Sequence, residues 1–224
     1  MPPVVKTLLI INVAMFAFKW LMPDIAMQLA VYSIKSDFFK PYQLITHMFM
    51  HGDFFHLFFN MFALYMFGKV LEDVWGPKRF FIYYFFTGLG AAFLHLLIIN
   101  IEISSLMSSM NSEQVSMVFK EGSSALLEGK NFIDPQMRDL NLMINTPTVG
   151  ASGAIYGLLL AFGMLFPNTI LYIYAAIPMK AKYLVMIFVA IELYLGFMNR
   201  SGDNVAHFAH LGGMLFGLIF LLIW

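Results

Sequence analysis

Four places in this chain put groups capable of chemistry inside otherwise apolar sequence. The first is Gly150-Ala151-Ser152-Gly153-Ala154-Ile155-Tyr156-Gly157, where small residues lead into a hydrophobic helix with a serine in its first turn. A helix N-terminus presents unpaired N–H groups and the positive end of the helix dipole. That setting favours a serine alkoxide and the oxyanion formed when it attacks a carbonyl. Gly150 and Gly153 leave room beside the serine for a substrate backbone; read alone, the same residues also describe a helix-packing face. The second place holds His207 and His210, three residues apart on one helix face, followed by Gly213 and Gly217. The two glycines open a groove into which another helix can settle, bringing an imidazole beside a serine. Neutral imidazole is the usual general base for such a hydroxyl; a histidine solvated by lipid headgroups is the alternative.

The third place is His51, His56 and Asn60. His56 and Asn60 are stacked one helical turn apart, and both can donate hydrogen bonds. They could complete an oxyanion hole, or simply join helices at about 0.6 kcal/mol per bond. The fourth is Glu192, in the middle of an apolar stretch and read as a helix-to-helix hydrogen bond. His95 is read as structural in the same way. His47, His51, His56, His207 and His210 could meet around a metal, but no H-E-x-x-H spacing is present, so no metal or cofactor is assigned.

These groups must be positioned by a membrane protein. The chain is 60% hydrophobic and only 12% charged, about half the charge of an ordinary soluble domain. A net charge of zero gives no basic footprint for nucleic acid. The absence of cysteine excludes disulfides and thiol catalysis. Crossing a hydrocarbon layer takes about 20 apolar residues in a helix, and windows at 5–22, 54–72, 80–101, from 150 to Pro167, 181–198 and 204–224 supply six. The expected fold is therefore all-α, a polytopic bundle of six transmembrane helices forming one domain over 1–224. Residues 23–50 suit an interfacial first loop, and 104–147 form a polar extramembrane insert, a long loop or a small helical unit. Lys6, Lys69, Lys78, Arg79, Lys180 and Lys182 fall on one side against Lys19, Lys35, Lys40 and Arg200 on the other, a bias that puts both termini in the cytoplasm. The lack of a targeting extension fits a bacterial inner membrane. The insert, the fifth helix and the segment Phe197–Val205 are expected to govern access to Ser152.

Taken together these residues resemble the rhomboid family of intramembrane serine proteases, over about residues 5–222 apart from the insert. The family's G-x-S-G motif corresponds to Gly150-Ala151-Ser152-Gly153, and its A-H-x-x-G-x-x-x-G motif to Ala209 through Gly217. Its H-x-x-x-x-H-x-x-x-N pattern corresponds to His51, His56 and Asn60. The resemblance implies that Ser152 is the nucleophile and that His210, not His207, is the base, as a dyad without a third, carboxylate member. It further implies that His56 and Asn60 assist the oxyanion, that Tyr156 packs on the catalytic histidine, and that Glu72 is structural. Where many members carry Trp-Arg in the first loop, this chain has Tyr42-Gln43. The implied partners are the bilayer and the transmembrane segments of other proteins, which are cut through an acyl-enzyme. Two other readings are a catalytically inactive rhomboid-like client binder and a small transporter; against the latter, no internal repeat is evident.

Overall fold

The computed structural model describes residues 1–173, 176–198 and 206–223. Its helices begin and end at capping or breaking residues. Pro3 and Pro23 open α1 (Pro3–Leu21) and α2 (Pro23–Gln28), at positions where a missing N–H costs nothing. A single turn, α3 (Gln43–Thr46), lies in the first connecting segment. Asp53 caps α4 (Phe54–Ala63) by accepting the His56 N–H at 2.9 Å. A π-helical turn at Leu64–Gly68 carries α4 on into α5 (Lys69–Trp75), giving one apolar helix of 22 residues. Then come α6 (Pro77–Ser108), α7 (Ser112–Leu127), α8 (Pro135–Asn145), α9 (Ser152–Leu165), α10 (Ala181–Met198) and α11 (His207–Ile223).

Four of these helices, α1, α4–α5, α6 and α10, are long and apolar enough to cross a membrane by themselves. The helices α9 and α11 are apolar but shorter, at 14 and 17 residues. The six windows expected from the sequence correspond to these four helices and to the two shorter apolar ones. Phe54, Phe55, Phe58, Phe59 and Phe62 of α4 all face outward; so large an exposed apolar face suits lipid, not water. Helix α6 is 32 residues long, about 48 Å at the α-helical rise, against about 30 Å of hydrocarbon. It overshoots the expected 80–101 window and carries its last turns into the insert.

The insert is helical. Asn111 and Gln114 form a capping box at the start of α7, and the Asp134 side chain accepts the Met137 N–H at the start of α8. Ile103 of α6 packs with Val118, Met137, Leu140 and Ile144 into a small core separate from that of the bundle. Asn141 donates to the Gly122 carbonyl at 3.1 Å, and Asn145 donates to Asn141 at 2.8 Å and accepts from Ser36 of the first connecting segment at 2.6 Å.

One departure from the all-α expectation is an antiparallel hairpin, β1 (Ile170–Ile173) with β2 (Ile177–Lys180), pairing Ile170 with Lys180. Pro167 and Asn168 end α9 as expected, and the β-branched run beyond them turns back on itself. The access segment Phe197–Val205 and the start of the last span fall largely at 199–205, outside the described residues, as does Trp224.

At the centre, α11 packs on both α6 and α9. The contact is backbone to backbone: a Cβ built on Gly213 would stand 1.8 Å from the Gly153 carbonyl oxygen. At the other end of the bundle, buried Glu72 accepts the N–H groups of Val4 and Val5 at 2.9 and 2.7 Å, capping α1 from α5.

Gly213→Ala is expected to push α11 off α9 and lower stability by about 1–3 kcal/mol. Gly196→Ala, whose Cβ meets its nearest neighbour at 3.4 Å, is expected not to destabilise. Thermal unfolding of both variants in detergent checks the contrast; equal melting would remove the close approach as a constraint.

Candidate active site

Ser152 is the first residue of α9. No side chain caps that helix, so its first-turn N–H groups lack the usual partner. The backbone ahead of it is held on three sides. Thr148 pairs with Val31 in both directions, at 3.0 and 2.8 Å; its hydroxyl lies 2.9 Å from His95 Nε2, and the Gly150 N–H donates to the His47 carbonyl at 2.9 Å. Gly150 has φ 130, a left-handed value that glycine adopts freely. A Cβ there would also meet His56 Nε2 at 2.8 Å and Ser152 Oγ at 3.5 Å. His56 and Ser152 thus border the same small space.

The close approach of α11 to α9 delivers His210 to the serine. His210 Nε2 lies 2.9 Å from Ser152 Oγ. The ring lies flat on Tyr156, with centroids 4.1 Å apart and planes 6° apart. Tyr156 is one turn beyond Ser152, so the serine and the ring platform come from one face of α9. His210 is the histidine on the serine; His207, three residues earlier, points elsewhere.

Where it points is to Glu192. His207 Nδ1 lies 2.6 Å from Glu192 Oε2, and the Tyr156 hydroxyl donates to Oε1 at 2.5 Å. His210 Nδ1 stands 3.0 Å from Oε1. This last contact is close but off the line of the ring N–H, and it is not a formed hydrogen bond. Glu192 is thus the helix-to-helix hydrogen bond expected from the sequence, joining α10 to both α9 and α11, and its carboxylate also stands close to the histidine behind the serine. Glu192, His207 and His210 also form the one set of ligand-type groups among the described residues close enough to share a metal, within 4.8 Å of one another. The five histidines weighed from the sequence do not gather.

His56 lies on the other side of the serine. Its Nδ1 accepts a long 3.4 Å bond from the Gly52 N–H, which leaves Nε2 as the protonated nitrogen facing Gly150. His51 packs edge-on against it at 5.0 Å between centroids. Asn60 spends one amide hydrogen on the His56 carbonyl at 2.8 Å and keeps the other. Lys19 donates to the carbonyls of His51 and Gly52, fixing the turn before α4. Gln43 is fully buried and bonds to the backbone of Gln28, Phe38 and Lys40. It pins the first connecting segment. A surface groove of about 660 Å³ is lined by Pro178, Lys180, Tyr183 and Ile187 and includes none of these residues.

A family model described as "Rhomboid domain" matches residues 39–224. "RHOMBOID-like protein 12, mitochondrial" of Arabidopsis thaliana is 26% identical over 94% of this chain and 55% of its own length. "Rhomboid protein 1, mitochondrial" of Saccharomyces cerevisiae is 28% identical over 96% of this chain and 51% of its own. "Rhomboid-like protein 11, chloroplastic" of Arabidopsis thaliana is 40% identical over 58 residues, 26% of this chain and 21% of its own length. The chain spans about half the length of the first two relatives. Their names are organellar and give no support to the bacterial inner membrane expected from the sequence; what stands is a multi-pass integral membrane protein.

Burial, opposed by the Gln43 carbonyl, pushes the His47 imidazole down to about 4 from its ordinary 6.5. The unfolded chain then binds the extra proton between these values. Stability is full above about pH 6.5 and falls as the pH drops towards 4, by up to about 3 kcal/mol. Unfolding in detergent across this range is expected to show a steeper acid loss for the unaltered protein than for His47→Gln. Identical slopes would mean that His47 does not carry it.

Proposed function

Because the chain belongs to the rhomboid family, we propose that it is an intramembrane serine endopeptidase, cutting transmembrane segments of other membrane proteins with Ser152 as nucleophile and His210 as base. The observation that carries this reading is the 2.9 Å separation of Ser152 Oγ and His210 Nε2 at an uncapped helix N-terminus.

His210 Nε2 takes the hydroxyl proton as Oγ bonds to the peptide carbonyl carbon. The resulting oxyanion is met by the Ser152 N–H and by the Nε2–H of His56, with the remaining Asn60 hydrogen beside it. The C–N bond breaks, and the proton on His210 passes to the leaving amine. Water, deprotonated by the same nitrogen, attacks the acyl-enzyme and releases the serine. Tyr156 holds the imidazole in plane, while Gly150 and Gly153 keep the approach clear. A transmembrane helix hides its carbonyls in its own hydrogen bonds, so segments with helix-weakening Gly, Ser or Pro near the bilayer edge are the favoured substrates. The insert at 104–147 lies on the same side of the bilayer as the serine, and the whole of 1–224 works as one membrane unit.

Purified protein in detergent, given a reporter transmembrane substrate, is expected to cleave it, and Ser152→Ala and His210→Ala are each expected to abolish cleavage. Equal cleavage by all three would remove both assignments. Absence of both cleavage and fluorophosphonate labelling of Ser152 would favour the client-binding reading. His56→Ala is expected to lower kcat by about a hundred-fold or more with KM little changed; an unchanged kcat would take His56 out of the oxyanion site.

A further inference from the structure

We infer that Glu192 is a positioning residue that completes a Ser152–His210–Glu192 relay, fixing the tautomer of His210 and steadying the positive charge it acquires. The inference rests on the serine protease reading above and adds a member to its machinery. Glu192 comes from α10, which also sets Phe188 edge-on against Tyr156. The residue is 3% exposed and carries no nearby lysine or arginine partner among the described residues. What surrounds it instead is a ring of donors: the Tyr156 hydroxyl and His210 Nδ1 at Oε1, and His207 Nδ1 at Oε2.

Every neighbour can give a hydrogen bond to the carboxylate. That settles what each imidazole must do. His207 donates from Nδ1. Tyr156, whose ring carries His210, donates from its hydroxyl and locks the nearer oxygen in place. The Nδ1 of His210 is buried and makes no formed hydrogen bond among the described residues, and this oxygen stands 3.0 Å away. A carboxylate so placed favours the hydrogen on Nδ1, which leaves Nε2 as a lone pair facing the serine hydroxyl. That is the form a general base needs. When Nε2 takes the serine proton, the imidazolium gains a direct ion pair, and a small rotation of the ring or the carboxylate aligns it; catalytic hydrogen bonds are commonly long before substrate binds. His207 then has a role that its position off the serine does not suggest: it holds the far oxygen and so sets the angle of the near one.

The amide of Glu192→Gln keeps the shape but can present N–H₂ to Nδ1, turning His210 to the wrong tautomer. In another serine protease family the corresponding carboxylate-to-amide change costs about 10⁴-fold in kcat. With wild type active and dependent on Ser152 and His210, Glu192→Gln is expected to lower kcat between about a hundred-fold and ten-thousand-fold, KM little changed, with partial rescue by Glu192→Asp. ¹⁵N spectra of histidine-labelled wild type are expected to show His210 protonated at Nδ1 and free at Nε2, with that preference lost in Glu192→Gln. Wild-type kcat in Glu192→Gln, or the same His210 tautomer with and without the carboxylate, would overturn the inference. If wild type neither cleaves nor takes the fluorophosphonate label, the protease reading fails, and the tautomer measurement still decides Glu192. If Glu192→Gln does not fold, wild-type spectra showing the proton on Nε2 would overturn the inference on their own, and Glu192→Asp carries the kinetic test.

Discussion

The carbonyl of Gly153 and the Cα of Gly213 face each other with no room for a methyl group between them, and most of the site's geometry descends from that contact. Two helices whose backbones meet this closely cannot slide or roll without collision, since packed interiors resist even small added volumes. The contact places the first turn of α11 over the first turn of α9. From there, short side chains are enough: a serine and an imidazole meet at 2.9 Å without either reaching. Gly157, Gly90 and Gly217 extend the same close packing along the helices, against Thr87, Phe216 and Tyr83.

Charge inside the bundle is handled by one rule at both ends. Glu72 is buried at one end and takes two backbone N–H groups of α1; Glu192 is buried nearer the other and faces side-chain donors from α9 and α11. Neither has a lysine or arginine partner among the described residues. A buried carboxylate is costly unless its oxygens are matched. Here the match is made by groups already fixed in helices, so each glutamate also fastens one element to the next. The difference is in what the donors can do: backbone N–H groups only donate, whereas an imidazole can move its proton.

The local parts of the site could be read from the chain. Ser152 and Tyr156 lie one turn apart, and both His207 and His210 precede the glycine pair that seats their helix; the family resemblance, not the spacing, singled out His210 and Tyr156. The helices of the insert were also signposted, by Asn111 with Gln114 and by Asp134 before Pro135, although polar composition left a loop open. Glu192 could not be read. An acid in the middle of an apolar run looks the same whether it meets a passing hydroxyl or two histidines, and only the angle at which α10 crosses α11 decides. The hairpin at 170–180 was hidden for a different reason: its residues continue an uncharged run, and periodicity fades where both faces are apolar. Thr148 gave no local sign of its bond to His95, since the two are 53 residues apart.

The insert is fastened at its base and open at its tip. Helix α8 ends at Asn145, which is bonded to Ser36, and three residues later Thr148 is tied to Val31 and His95. The far turn is different. Gly129, at φ 71, has nothing within 4 Å of where a side chain would stand, and Leu127 and Ile133 beside it are almost wholly uncovered. Chain length can therefore vary at one end of this unit and not at the other. An epitope, a fluorescent label or an evolutionary insertion grafted near Gly129 stays remote from the serine. The same graft near Thr146 or Pro147 would shift the segment that leads into it out of its pairing with Val31.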